Sequence, residues 1–237
     1  MTYSPMLAMA TAAFEIGAAV WVLRGPGRRA ILRTTGAILL LLAGYQIVEV
    51  AICSVAPGYG FLPRLAFMVV TWLPPLGILL VAQLLGPGAR AARAFATSMF
   101  AFALGIVAWI AVDASFASLS VCNAVYARYD HPMPQFLVYS GFYWVGLLGL
   151  VFLSAYGAAR PRDPHDGRLT KQVLTGAVSF LVPAMITSTF VPAAQGALPS
   201  VMCHFAILLA AFLVRLAHLE RKETQGAEGD EPSPAFQ

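Results

Sequence analysis

The stretch LRTTGAILLLLAGYQIVEVAIC, Leu32–Cys53, decides the fold. It carries charge only at Arg33, near its start, and at Glu49, near its end. Its 22 residues make a helix about 33 Å long at about 1.5 Å per residue, enough to cross a hydrocarbon core of about 30 Å. No apolar-polar alternation of the kind a barrel strand needs runs through it, and in lipid a backbone without internal hydrogen bonds has no other partner. The stretch is therefore predicted to be a transmembrane helix.

Six further segments repeat the pattern: Pro5–Leu23, Pro63–Leu85, Ala94–Ala114, Pro134–Gly157, Val173–Val191 and Leu198–Leu216. The chain of 237 residues is 59% hydrophobic and 11% charged, against roughly 25% charged in soluble domains. A water-soluble fold cannot hide that much apolar surface. The expected class is all-α, a polytopic bundle of seven transmembrane helices, with residues 1–220 as the membrane domain and 221–237 as a disordered acidic tail carrying Glu223, Glu228, Asp230 and Glu231.

The basic residues set the expected orientation. Arg24, Arg28, Arg29 and Arg33 flank the first turn, Arg90 and Arg93 the third, and Arg160, Arg162, Arg168 and Lys171 the fifth, while Arg215, Arg221 and Lys222 follow the last span. Only Arg64 and Arg128 fall on the other side. The positive-inside rule then puts the N-terminus out and the C-terminus in, as in the inner membrane of a bacterium. No basic residue precedes the first apolar segment, so it reads as a true span and not as a cleaved signal peptide. The same residues account for the pI of about 9.1 by facing lipid headgroups, without any nucleic acid.

Ionisable groups inside apolar spans are costly and mark candidate sites. Glu15, Glu49 and His204 lie within spans and Asp113 at a span end. Counting inward from the expected outer boundary puts Glu49 and His204 at a common depth of roughly 6–9 Å. Cys53 follows Glu49 by one helical turn and Cys203 precedes His204. Glu49, Cys53, Cys203 and His204 together have the donor types of a zinc or copper site; a hydrogen-bonded helix pair that only fixes packing is the plainer reading. Three cysteines allow three disulfides, of which Cys53 with Cys122 would tie the outer loop to the second span.

Pro74 and Pro75 at mid-span must bend the third helix and free carbonyls upstream. Such a bend can open a cavity, with Tyr45, Gln46, Tyr139, Tyr143 and Trp144 as possible lining; the last three read equally as interfacial anchors. Pro183, followed by Thr187, Ser188 and Thr189, suggests a second bend with hydroxyl caps. Ser115–Met133 is the longest outer connection, large enough to be a lid carrying Cys122, Tyr126, Arg128, Tyr129, Asp130 and His131.

Gly44-Tyr45-Gln46-Ile47-Val48-Glu49, Trp72-Leu73-Pro74-Pro75 and Pro199-Ser200-Val201-Met202-Cys203-His204-Phe205-Ala206 together resemble an uncharacterised family of bacterial seven-helix membrane proteins. The chain differs from that pattern in having Tyr45 where the family has a second glutamine, and His204 where it has an aromatic residue. More distantly, the third, sixth and seventh spans look like the seven-helix sensory regions of bacterial histidine kinases. That second likeness implies ligand or state sensing through helix movement, read by a separate signalling or enzyme partner in the membrane or cytoplasm.

Three functions stay open from sequence: a sensor or small-ligand module with an outward-facing pocket, an intramembrane metal- or thiol-dependent enzyme, and a small-solute or proton transporter. The residues expected to meet a ligand are Glu15, Tyr45, Gln46, Glu49, Trp72 and His204.

Overall fold

The computed structural model describes residues 4–55, 59–123, 127–130, 132–191, 194 and 197–229. Seven helices among them are long and apolar enough to cross a membrane, and the chain is an integral membrane, all-α bundle.

The first two spans are α1 (Met6–Arg24) and α2 (Arg29–Val50), the latter closed by a π-turn over Ala51–Val55. The third span is two helices, α3 (Phe61–Val70) and α4 (Leu73–Leu84). Then come α5 (Arg90–Val112), strands β1 (Ser118–Cys122) and β2 (Ala127–Asp130), α6 (Met133–Ala159), α7 (Pro164–Phe190) and α8 (Leu198–Gly229). The third span is the most buried of the seven. It packs on α2, α5, α6 and α7, so the bent helix is the bundle's centre.

The break at Thr71–Trp72 follows from Pro74 and Pro75, which have no N–H to donate back to the preceding turn. At the break the Thr71 hydroxyl donates to the Phe67 carbonyl at 2.6 Å, which also accepts the Thr71 amide at 3.0 Å. The elbow sits tightly on α6: a Cβ on Gly146 would lie 2.4 Å from Pro74 Cβ. Glycine is required there by close approach.

The structure bears on three expectations. Within the long connection β1 and β2 pair antiparallel, Ser118 opposite Asp130 and Cys122 opposite Ala127, because Leu119, Val121 and Tyr129 suit a pleated surface. Tyr126 and His131 lie outside the described residues. Pro183 lies inside α7, which continues to Phe190, and the Ser188 hydroxyl has no hydrogen-bond partner among the described residues. The last helix does not stop at 220 but runs to Gly229, carrying four charged side chains, Glu220–Glu223, past its apolar part.

Candidate functional site

α2 presents Tyr45, Gln46 and Glu49 at helical spacing on one buried face. Each contacts a different backbone or side-chain group. Ser200 of α8 donates its hydroxyl to Glu49 Oε2 at 2.6 Å, and the same Ser200 oxygen accepts the Ala127 amide of β2 at 3.3 Å. Gln46 Nε2 donates to the Cys203 carbonyl at 2.8 Å. The hydroxyls of Tyr45 and Tyr129 lie 3.5 Å apart. A disulfide between Cys53 and Cys122 adds a covalent tie between the end of α2 and β1. One end of α2 is thus fastened to α8 and to the hairpin at once.

His204 and Glu49 meet through Ser200 and not directly. A carbonyl can only accept, so His204 donates Nδ1–H to the Ser200 oxygen at 2.8 Å. This places a proton on Nδ1, and Nε2 has no partner among the described residues. Ser200 is the residue that sequence reasoning missed. Its signal was present: it stands one helical turn before His204, inside the quoted Pro199–Ala206 motif.

The zinc or copper set is corrected by this geometry. Cys53 is committed to Cys122, and no three His, Cys, Asp or Glu side chains converge on a metal position among the described residues. Cys203 is a free, buried thiol.

A cavity of about 170 Å³ lies at the hairpin end between α3, α6 and α8. Phe67, Phe136, Tyr139, Tyr143 and Trp144 supply aromatic wall, with Met202 and Cys203 opposite, and no charged residue lines it. Phe67 meets Tyr139 edge to face at 5.1 Å, and Tyr139 stacks with Tyr143 at 5.9 Å. Phe67 also meets Tyr129 of β2 at 5.4 Å and Phe116 at 5.9 Å. The hairpin is thereby built into the wall. A second cavity of about 40 Å³, bounded by Pro74 and Gly77 at the elbow, shares Tyr143, Leu147, Met202 and Cys203 with the first.

None of Glu15, Tyr45, Gln46, Glu49, Trp72 or His204 lines the larger cavity. Trp72 instead faces Phe100 across 6.4 Å. Tyr139, Tyr143 and Trp144 do line it. Glu15 is fully buried in α1, and neither carboxylate oxygen has a hydrogen-bond partner among the described residues.

At the opposite end of the bundle is a charged cluster that sequence reasoning also missed. Glu220, buried at the cytoplasm-expected end of α8, takes hydrogen bonds from Arg28 and contacts His165 Nε2 at 3.1 Å. His165 Nδ1 lies 3.3 Å from Glu223, and Arg28 reaches Asp166 at 2.7 Å. Gly27 permits the approach, having φ 133° and a Cβ position 2.9 Å from Glu220 Cγ. Hydrogen bonding to Glu220 raises the Arg28 pKa above its ordinary value.

No family model matches the chain, and no curated protein matches it. The reading of function therefore rests on the site itself.

Proposed function

We propose that this membrane protein is a sensor or small-ligand-binding module whose ligand is a small, uncharged, mainly apolar molecule held in the aromatic cavity at the hairpin end. The observation that carries this reading is the cavity itself, about 170 Å³ with aromatic and sulfur-bearing walls and no charge. Apolar cavities of about 150 Å³ stay dry and take up a benzene-sized guest, so the size corresponds to one ring. Ligand sites in membrane bundles typically lie between helices, with few polar groups to orient the guest. Here the lining residues with polar side-chain groups are Tyr139, Ser140, Tyr143 and Trp144, and the Tyr139 hydroxyl has no hydrogen-bond partner among the described residues.

The asymmetry of basic residues supports an orientation with the hairpin end outside and the Arg28–Glu220 end in the cytoplasm of a bacterium. α8 contributes Met202 and Cys203 to the cavity and Glu220 to the charged cluster. A ligand that shifts α8 would reach a cytoplasmic partner by that route.

The test uses indole and toluene as probes on purified protein in nanodiscs. Both should raise the melting temperature and slow alkylation of Cys203, the one free thiol. Ser140→Phe, which fills the cavity, should abolish both effects. Stabilisation that persists in the filled variant, or no stabilisation of the wild type, would remove the reading.

A further inference from the structure

Glu15 has no role in the cavity or in the tie between α2, α8 and the hairpin. Its side chain is fully buried, and both oxygens lack a protein partner among the described residues. An ionised carboxylate in an apolar interior is tolerated only when paired or hydrogen-bonded, since burying it alone costs several kcal/mol. Neutralisation by a proton is the remaining way to hold it there.

The surroundings can be placed by register. Leu23 of α1 packs where a Cβ on Gly36 of α2 would stand, 2.7 Å away. Eight residues back along α1 and eight forward along antiparallel α2, Glu15 is level with Gly44, within one turn of Gln46. Gln46 Oε1 is itself buried without a partner, while its Nε2 holds the Cys203 carbonyl. Cys203 in turn lies within electrostatic range of both Glu15 and Glu49. The titratable groups at this height on the two helices packed against α1 are Tyr45 and Glu49 of α2 and Cys203 and His204 of α8. None is a lysine or arginine. Glu49 is engaged by Ser200, and His204 donates to a backbone carbonyl.

We infer that Glu15 is an intramembrane proton-binding site, buried on α1 where that helix packs on α2 and α8. The bound species is a proton on a carboxylate oxygen; no bond other than that O–H is made or broken. Protonation leaves α1 packed on its neighbours, and proton release places an unpaired charge in their shared interface. Glu15 does not line the apolar cavity, although Cys203 lies near both.

The experiment combines infrared spectroscopy with dicyclohexylcarbodiimide, a reagent that captures protonated carboxyls in apolar surroundings, on the full chain in nanodiscs at near-neutral pH. The wild type should show a neutral-acid carbonyl band and an adduct at Glu15 by peptide mass spectrometry. Glu15→Gln should lose both, and Glu15→Asp should keep the adduct at position 15. An unchanged band in Glu15→Gln, or protection from the reagent by sodium at constant pH, would overturn the assignment. Were Glu15→Gln not to fold, the wild-type adduct map still decides, because no adduct at Glu15 refutes the site.

Discussion

Arg28 closes on Glu220 with three donors: its backbone amide and Nε reach Oε1 at 2.9 and 2.8 Å, and Nη2 reaches Oε2 at 2.9 Å. The two residues are 192 positions apart, so this contact joins the first turn of the bundle to the extension of its last helix. Glu220 is buried whereas Arg28 is 43% exposed on its side chain. Removing the guanidinium leaves a buried carboxylate with fewer donors. Arg28→Ala should therefore destabilise the protein by about 1–3 kcal/mol, below the full cost of breaking a buried pair because one partner is half in solvent. Arg28→Lys should recover only part of this, since an ammonium cannot reproduce the two-pronged geometry. Thermal unfolding in nanodiscs measures both.

Ser200 connects three elements through one hydroxyl, donating to Glu49 and accepting from Ala127. Ser200→Ala removes both bonds and leaves the β2 amide without that acceptor, at a cost of about 1–3 kcal/mol. Hydrogen exchange at Ala127 should accelerate in the variant, and exchange along α5 should not. Equal acceleration everywhere would mean that the bond stabilises the whole bundle and does not hold the hairpin in particular.

The disulfide makes a clear accounting prediction. Cys53 and Cys122 enclose a sequence separation of 69 residues, and loss of such a closure typically costs 2–4 kcal/mol. Unfolded protein should alkylate at one cysteine without reductant and at three with it. Cys53→Ser and Cys122→Ser should lower the melting temperature by similar amounts, and the double variant by no more than either alone.

Asp113, just beyond α5, should confer a modest acid sensitivity at the hairpin end. Hydrogen bonds from the Ser115 hydroxyl and then from its amide, with a further one from Gln135, hold the carboxyl below its ordinary value. A carboxyl lowered on folding contributes stability that is present above the ordinary carboxylate range. That contribution is lost as pH falls through the lowered value. Exchange at Ser115 should rise in acid, and Asp113→Asn should make it pH-independent at a higher level.

The seven spans were legible because a hydrocarbon core imposes length and apolarity on each, and Leu32–Cys53 shows both without any tertiary information. The elbow was legible for a similar reason, as Pro74 and Pro75 act on their own backbone. The pairing of Cys53 with Cys122 was visible as one of several options. The cavity was less so, since its walls come from α3, α6 and α8, and which face of a lipid-exposed helix such as α6 turns inward depends on its neighbours. Ser200 was missed because a serine in an apolar helix carries no charge to draw attention, and the Glu220 cluster because its partners are far apart in sequence, Arg28 before α2 and His165 and Asp166 at the start of α7. Glu15, Glu49 and His204 stood out by charge alone, which located polar positions without saying what they bond.

Gly146 tests whether the elbow and the cavity are mechanically linked. A methyl group there would meet Pro74 Cβ at 2.4 Å and Met99 Cε at 2.9 Å. Methionine can rotate away, but the proline ring is fixed to the elbow backbone, so α6 must move off α4. Overpacking of this kind costs about 1–3 kcal/mol. Tyr143 and Leu147 flank Gly146 and line both cavities, so their displacement should change access to Cys203. Gly146→Ala is expected to speed alkylation of that thiol and weaken indole binding together. A variant that loses stability with unchanged thiol reactivity would show that the elbow packs on α6 without shaping the cavity.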